Sequence, residues 1–375
     1  MAQPPESPRR RPLPRKAARP AARPALDWRA PANRPAVAGA TGSGPASAAW
    51  SDAGARLEAG GRFGWRIVAA KEFADHLLSV RFLVLLLILG LATVAAVYAA
   101  ASGIRSVASD ATGTPALFLK LFTVAPEERL PPFFVFVGFL GPLLGIAFGF
   151  DAVNGERSEG TLPRLLSQPI HRDDVVNGKF VAGLAAIALI LVCLTLLVAG
   201  VGIVQLGIVP TLEEVLRMCA WLVVAVLYIG FWLAFATLCS VVLRRAATSA
   251  LVAIGVWLVL SLFATLLVDL AAGFLAPFTG SPGEDPTVST ARLQVELSRL
   301  SPGTLYEEAT TVLLDPNVRW VGIILPIQID RAVQGALRFD QSLLLIWPQL
   351  VGLVAVTVVC FAAAYISFMR QEVRA

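Results

Sequence analysis

The amino-acid sequence predicts an all-α membrane protein with six transmembrane helices, and two observations lead to this fold class. The 375-residue chain is 56% hydrophobic and only 15% charged, whereas a soluble domain carries about 25% charged residues. The missing charge is concentrated in long runs with at most one charged residue, close to the roughly 20 apolar residues that a helix needs to cross a bilayer. Only helices and closed barrels satisfy every backbone amide in lipid, and these runs are too long and uniform for barrel strands.

Residues 1–60 differ in composition, being rich in Pro, Ala, Gly and Arg and poor in large apolar side chains. Such a segment cannot bury enough apolar surface to offset the entropy lost on ordering, so we predict a disordered cytoplasmic tail. It contains no apolar stretch of the kind that a secretory signal has. Its Arg-rich, acid-poor character resembles an organelle transit peptide, but its prolines oppose the amphipathic helix that such peptides form.

Residues 62–79 precede the first apolar run and show helical periodicity. Phe63, Ile67, Ala70 and Leu77 recur at helical spacing, with charged side chains on the other faces. This pattern is typical of an amphipathic helix lying in the membrane interface. A solvated cytoplasmic helix is the alternative.

Six apolar runs define the predicted spans of a membrane domain that covers residues 62–375. The runs are 80–101, 133–150, 180–204, 218–243, 249–277 and 343–369. They predict a multi-pass protein of the plasma membrane whose main surroundings are the lipid bilayer.

The loop at about 278–342, between the fifth and sixth spans, is long and patterned. The stretches 290–300 and 303–314 both show helical spacing and are separated by Pro302, which predicts two short helices on the outer surface. The apolar stretch 321–329 is too short to span a bilayer, and we predict that it dips into the interface.

Basic residues in short loops set the orientation, because cytoplasmic loops carry an excess of Lys and Arg. Twelve such residues lie on one side and four on the other, so both termini are predicted to be cytoplasmic. The first set is Arg62, Arg66, Lys71, Arg81, Arg157, Arg164, Arg172, Lys179, Arg244, Arg245, Arg370 and Arg374. The opposite set is Arg105, Lys120, Arg129 and Arg217.

The net charge of +5 does not indicate nucleic-acid binding. Much of the basic excess lies in the N-terminal tail, and the rest flanks the apolar spans, where it sets membrane orientation. The four cysteines Cys193, Cys219, Cys239 and Cys360 fall in or beside apolar runs without CxxC spacing. They are interpreted as buried small hydrophobes, and neither a disulfide framework nor a metal site is indicated.

Several enzyme classes are disfavoured by the motifs. Gly178-Lys179-Phe180 lacks the upstream glycine and the following Ser or Thr of a phosphate-binding loop, so we predict that the chain does not hydrolyse ATP itself. His76 and His171 do not form an HExxH pair, and there is no GxSxG motif. No cofactor is predicted.

The densest polar cluster is the loop between the second and third spans, at 151–180. Thr161 is suited to cap a short helix, and Pro169 would end it. Leu162, Leu165 and Leu166 would share one apolar face of that helix. Such a face beside a membrane indicates a protein partner, although an ordinary solvated loop is equally compatible with the residues alone.

This loop resembles the signature of type-2 ABC-exporter permeases. The matching residues are Gly155, Glu156, Arg157, Gly160, Thr161, Leu162, Leu165, Leu166, Ser167, Pro169, Arg172, Gly178, Lys179 and Phe180. The stretches 297–314 and 346–374 also resemble the branch of permeases that mature nitrous-oxide reductase. The resemblance covers roughly residues 62–375.

The resemblance implies that the loop is a coupling helix docked in a groove of a separate cytoplasmic ATPase subunit. Its implied coupling residues are Glu156, Arg157, Glu159, Gly160, Thr161, Leu162, Leu165, Leu166, Pro169 and Arg172. It further implies a homo- or heterodimer with a second six-span permease subunit. In relatives the second and fifth spans line the passage.

Residues of these two spans are candidates for the passage. Gly141, Gly145 and Gly149 recur every four residues in the second span, which allows close helix approach, and Pro142 is able to kink it. Asp269 is the acidic residue well inside an apolar run, and such a carboxylate is a functional candidate. Because it lies toward the outer end of the fifth span, it is alternatively a residue that reaches interfacial water.

The sequence therefore predicts a permease subunit that moves a substrate with energy from a separate ATPase. The family resemblance favours export as the direction of transport. A scaffold that transmits ATPase motion to an external partner is the alternative, left open by the long external loop. An ion-coupled secondary transporter is disfavoured, because the spans contain too few ionisable residues for an ion relay.

Overall fold

The computed structural model describes residues 64–107, 116–124, 131–158, 160, 171–207, 209–279, 285–318 and 336–371. These ranges contain thirteen helices and no strand, which confirms the predicted all-α class for the described residues. The helices are α1 Gly64–Leu78, α2 Val80–Val107, α3 Lys120–Thr123, α4 Phe133–Gly149, α5 Asn154–Ser158, α6 Arg172–Leu206, α7 Leu212–Val242, α8 Ala246–Leu262, α9 Ala264–Thr279, α10 Pro286–Ser298, α11 Pro302–Leu314, α12 Phe339–Leu345 and α13 Trp347–Arg370. The predicted tail 1–60 and the apolar stretch 321–329 lie outside the described residues.

Five helices among the described residues are long and apolar enough to cross a membrane, namely α2, α4 with its extension to Ser158, α6, α7 and α13. They correspond to the first, second, third, fourth and sixth predicted spans. The observed helix α6 has 35 residues and is therefore about 52 Å long, well beyond the roughly 30 Å of a hydrocarbon core. It begins at Arg172, so its first two turns precede the apolar run that starts at residue 180.

The fifth predicted span, 249–277, is not one straight helix. Helices α8 and α9 meet at Phe263 with a bend of 64°, where the Phe263 backbone has φ −112° and ψ 0°. The pair is long and apolar enough to cross the membrane as one broken span, giving up to six spans. No proline or glycine stands at the break, so sequence punctuation offers no sign of it.

Helix α7 is the central helix of the described bundle and packs against α4, α6, α8, α11 and α13. Near its start, Trp221 is fully buried and its ring centroid lies 5.7 Å from that of Phe122 and 5.6 Å from that of Phe133. These edge-on and tilted contacts join α3, α4 and α7 in one aromatic cluster. The end of the bundle where α4 ends and α6 begins is called the loop end below, and the opposite end is called the far end.

The three glycines of the second span lie in the contact between α4 and α7. A Cβ at Gly145 would lie 2.6 Å from the Ile229 carbonyl oxygen, and one at Gly149 would lie 2.8 Å from the Leu233 carbonyl oxygen. At Gly141 the added carbon would meet the Ile229 side chain at 2.7 Å. The predicted close helix approach is thus confirmed, while the proposed role of these glycines in a passage stays a prediction.

Gly145→Ala is expected to destabilise the chain by about 1–3 kcal/mol, because overpacking a well-packed contact has that effect. The new methyl group would meet two backbone atoms of α7, the Ile229 carbonyl oxygen and the Leu233 nitrogen, which cannot move aside as a flexible side chain would. Gly90→Ala is the matched control, since nothing lies within 4 Å of a Cβ at Gly90. Thermal unfolding in detergent should show a lower midpoint for Gly145→Ala alone. Equal midpoints for the two variants would contradict this close contact.

The far end contains the two short helices that the sequence predicts in the loop after the fifth span. They are α10 and α11, and Pro302 is the first residue of α11. The expectation that both are surface helices is wrong for α11, because Leu305, Tyr306 and Leu313 are buried in the core of the bundle. The apolar spacing that predicted a helix here also supplies the face with which α11 inserts.

Arg217 holds the far end together. Its side chain is fully buried and its guanidinium donates hydrogen bonds to the Leu313 carbonyl at 3.1 Å, the Leu337 carbonyl at 2.6 Å and the Ser342 hydroxyl at 3.1 Å. It also pairs with Glu213 at 3.0 Å. A buried charge needs such partners, and here they tie the end of α11 and the start of α12 to α7.

The sequence predicted that all four cysteines are buried, and this is wrong for two of them. Cys239 is buried, Cys360 is half-buried, and Cys193 and Cys219 are exposed on the surfaces of α6 and α7. On a membrane span an exposed position faces lipid or another subunit, and cysteine is apolar enough for either.

Candidate functional site

The loop that carries the predicted coupling segment connects α5 to α6. Glu156, Arg157, Gly160 and Arg172 are described, and they flank the segment on both sides. Glu159, Thr161, Leu162, Leu165, Leu166 and Pro169 lie outside the described residues. The described part of the candidate site consists of the two flanks, here called the loop junction: residues 151–158 before the segment and 171–180 after it.

A buried lysine joins the two flanks. The Lys179 side chain is only 9% exposed, and its Nζ lies 2.9 Å from Glu156 Oε1 and 3.0 Å from Glu72 Oε2. Glu156 precedes the segment, Lys179 follows it and Glu72 lies on α1. One cation thus holds three elements together, and both carboxylates are themselves largely buried.

The charges of this cluster reinforce one another. Burial raises the pKa of the Glu72 carboxyl, but the charges and hydrogen bonds of Lys179 and Lys71 together outweigh it, and the pKa lies below its ordinary value of 4.5. The resulting stabilisation is present above that ordinary value and is lost as the pH falls through the lowered pKa. Burial and the Lys179 charge also lower the pKa of His76, against the opposing effect of Glu72.

The motif Gly178-Lys179-Phe180 makes three separate contacts. A Cβ at Gly178 would lie 2.7 Å from Val68 Cβ on α1, so only glycine allows α1 to pack this closely on α6. Lys179 binds the two carboxylates, and the Phe180 ring lies 4.4 Å from that of Phe361 on α13. The predicted helix before the first span is confirmed as α1, and its packing surface is the beginning of α6.

The flank before the segment is also attached to the ends of α7 and α13. The backbone N–H groups of Val153 and Asn154 donate to the Ser240 hydroxyl at 3.0 and 3.1 Å. Arg157 donates to the Gln371 side-chain oxygen, and the Gln371 amide donates to the Val241 carbonyl at 2.8 Å. These bonds fix α5 against two spans that reach the far end.

A weaker attachment reaches α2. The Arg81 guanidinium pairs with the Asp151 carboxylate and lies 4.9 Å from the centre of the Phe150 ring. Because Arg81 is about half exposed, this ion pair contributes little to stability. The ion pair instead positions the first span beside the start of the loop junction.

Sequence reasoning missed several residues of this site. It treated Lys179 as an orientation marker and as part of a motif, and it gave no role to Glu72, Ser240 or Gln371. The detectable sign was a lysine seven positions after Arg172, the first residue of its helix, because a helical lysine at the edge of an apolar run needs an anion or water. Its partners are distant in sequence and cannot be identified from spacing.

Asp269 lies at the far end, on α9. Its carboxylate accepts a hydrogen bond from the Gln294 amide at 3.1 Å, and both residues line a cavity of about 250 Å³ together with Glu308. The predicted passage residues are thus in different surroundings: the glycines contact α7, and Asp269 faces α10.

Comparison with known proteins gives consistent matches. The family model described as ABC-2 family transporter protein matches residues 66–373. A probable ABC transporter permease protein NosY of Stutzerimonas stutzeri is 30% identical over 228 residues, covering 57% of this chain and 73% of that protein. A protein of the same description from Pseudomonas aeruginosa is 31% identical over 248 residues, covering 64% of this chain and 78% of that protein.

Proposed function

Because this chain belongs to the ABC-2 family of transporter proteins, we propose that its loop junction receives work from a separate ATPase and passes it to the spans. The chain is a membrane permease subunit of an ABC transporter, as its relatives are, and this family implies association with an ABC ATPase subunit. Export of the substrate is part of the proposal and is supported by the family resemblance of residues 155–180.

The observation that carries the proposal is the pairing of Lys179 with Glu156 and Glu72. It closes the base of the segment between α5 and α6, so a push on that segment cannot move one flank without the other. Breaking a buried ion pair leaves an uncompensated charge and has a penalty of about 3–5 kcal/mol. The junction would therefore move as one body and carry the attached spans with it.

The spans that would receive this movement follow from the hydrogen bonds. α5 is fixed to Ser240 of α7 and, through Gln371, to the end of α13. α6 continues directly into the bilayer. We propose that the Leu162, Leu165 and Leu166 face fills an apolar groove on the ATPase, and that a second permease subunit completes a dimer.

Copurification tests this function. The tagged chain, extracted from its own membrane in mild detergent, should bring with it a vanadate-sensitive ATPase in a constant ratio. The same chain expressed alone in a foreign host should show no ATP hydrolysis above background. Hydrolysis by the chain alone would contradict the assignment of ATP chemistry to another subunit.

The orientation belongs to the same proposal, with both termini and the loop junction in the cytoplasm. In a variant without native cysteines, Ser158→Cys should resist an impermeant thiol reagent added outside, and Leu300→Cys should react. Both positions are exposed, so accessibility on the protein surface does not limit either reaction. Labelling of Ser158→Cys from outside would contradict the proposed orientation and indicate the opposite one.

A second candidate is a subunit that transmits ATPase motion to a partner beyond the membrane. It is favoured by α11, which packs against α4, α7 and α13 at the far end and would be displaced if these helices moved. Reconstituted vesicles separate the two functions, because only the permease accumulates a substrate when ATP is added.

A further inference from the structure

Two adjoining cavities lie at the far end, beside the break between α8 and α9. The first has a volume of about 290 Å³ and extends between α4, α7 and α11. The second, of about 250 Å³, contains Asp269 and shares Ala264, Thr265 and Thr304 with the first. The two cavities adjoin at the helix break, which contributes Ala264 and Thr265 to both.

Five aromatic residues line the first cavity, which is called the aromatic cavity below. Phe134, Phe139, Tyr228, Trp232 and Tyr306 all line it; Phe139 is exposed, whereas Tyr228, Trp232 and Tyr306 are almost fully buried. The Tyr228 and Tyr306 rings stack at 4.6 Å with an interplanar angle of 17°. Their hydroxyls donate to the Gly138 carbonyl at 2.9 Å and the Phe134 carbonyl at 3.1 Å, so both rings are fixed before any ligand arrives.

The charge of this region is negative. Glu307 lines the aromatic cavity and its side chain is exposed, while Asp269 and Glu308 line the second cavity. Glu308 is already paired with Arg299 at 3.2 Å, and neither Lys nor Arg is among the described residues that line either cavity. An anionic ligand would meet uncompensated carboxylates, whereas a cation would meet one carboxylate and the accessible aromatic surface of Phe134 and Phe139.

The helix ends at the break supply further polar groups. Leu260 and Ser261, in the last turn of α8, line the aromatic cavity, and the final carbonyls of a helix have no intrahelical donor. Such carbonyls at broken membrane helices coordinate cations. The first turns of α9 and α11 also line it through Thr265 and Thr304, and their hydroxyl and N–H groups suit an oxygen atom on the ligand.

We propose that this aromatic cavity binds a small organic cation that also carries a hydroxyl or carbonyl oxygen, with Glu307 as its charge partner. Aromatic faces attract quaternary ammonium groups, and the volume is close to the lower limit of small-molecule sites. As a binding site, the cavity stands on its own residues. As the site of transported cargo, it rests on the proposed permease function.

Choline and 3,3-dimethylbutan-1-ol provide the test, since they share a shape and differ in the charge. The purified full-length chain in phosphatidylglycerol nanodiscs, without any ATPase, should bind choline saturably with about one site per chain. Binding of the neutral alcohol should be at least about tenfold weaker, given the electrostatic origin of cation–aromatic attraction. Absence of choline binding, or equal affinity for the alcohol, would overturn the proposal.

Glu307→Gln should weaken choline binding by about tenfold while leaving the thermal midpoint unchanged, because the removed charge is exposed. Glu296→Gln is the matched control: it removes an exposed carboxylate from α10, where Glu296 pairs with Arg292 at 3.1 Å. Unchanged choline affinity in Glu307→Gln would reject the assigned charge partner and with it the site.

Two further arms identify the source and role of the cation. If phosphatidylcholine nanodiscs eliminate binding of free choline, a lipid headgroup is the natural occupant, and retained binding indicates a soluble ligand. In the complete complex, choline should accelerate ATP hydrolysis at least about twofold if the cavity holds cargo. Binding without acceleration keeps the site and rejects the cargo role, and a missing ATPase refutes the proposed function without affecting the binding result.

Discussion

Lys179→Ala is expected to destabilise the chain by about 3–5 kcal/mol, because it leaves Glu72 and Glu156 as buried carboxylates without their shared cation. The Lys179 side chain is 9% exposed, whereas Lys71, which also lies near Glu72, is 63% exposed. Lys71→Ala is therefore the matched control, with an expected effect below about 1 kcal/mol. Thermal unfolding in detergent should separate the two variants clearly.

Stability alone does not prove that Lys179 couples the loop to the spans. The triple variant Lys179→Met, Glu72→Gln, Glu156→Gln removes all three charges and should recover much of the lost stability, since no charge is left unpaired. Its ATP-driven transport should stay impaired, because the link between the two flanks is gone. Normal transport in this variant would show that the cluster is a stability feature only.

Leu165→Ala combined with Leu166→Ala is expected to prevent copurification of the ATPase. Burial of one leucine side chain contributes roughly 1.5–3 kcal/mol, so removing two should weaken docking by more than about a hundredfold at about 1.4 kcal/mol per tenfold. Both residues lie outside the described part of the chain, and the prediction rests on their spacing and on the family resemblance.

Arg164→Ala is the control for the leucine variant, because charges at the rim of an interface usually contribute less than buried anchors. It should reduce copurification without abolishing it. Both variants should insert and purify normally, since neither changes a residue of an apolar span. Full ATPase binding by the leucine variant would remove the segment from the coupling mechanism.

The spans were largely predictable because the bilayer imposes a strong constraint on composition. A run of about 20 apolar residues admits few interpretations, and five of the six runs correspond to helices long enough to span. The break at Phe263 was not predictable, since neither proline nor glycine stands there and the residues on both sides are good span formers. Tertiary packing, rather than local propensity, must select the bend.

The loop junction shows the complementary limit. Lys179 was visible in the sequence as a charged residue at the edge of a span, but its function depends on Glu72, which is more than a hundred residues away in the chain. Similarly, the apolar spacing of α11 predicted a helix and could not reveal whether Leu305 and Leu313 face lipid, solvent or the bundle. Periodicity identifies a face, and only the packing identifies its partner.

Helix α7 is attached to other elements near both of its ends, and because it is long, a small tilt of the helix would move these attachments relative to each other. Ser240 receives the hydrogen bonds of α5, and Arg217 binds α11 and the start of α12. The two residues are 23 positions apart, which is about 35 Å along a helix. A tilt of about 5° would displace one end by about 3 Å relative to the other, on that helical length. If the proposed coupling holds, a stroke of that size at the loop end would reach the far end without requiring any helix to unwind.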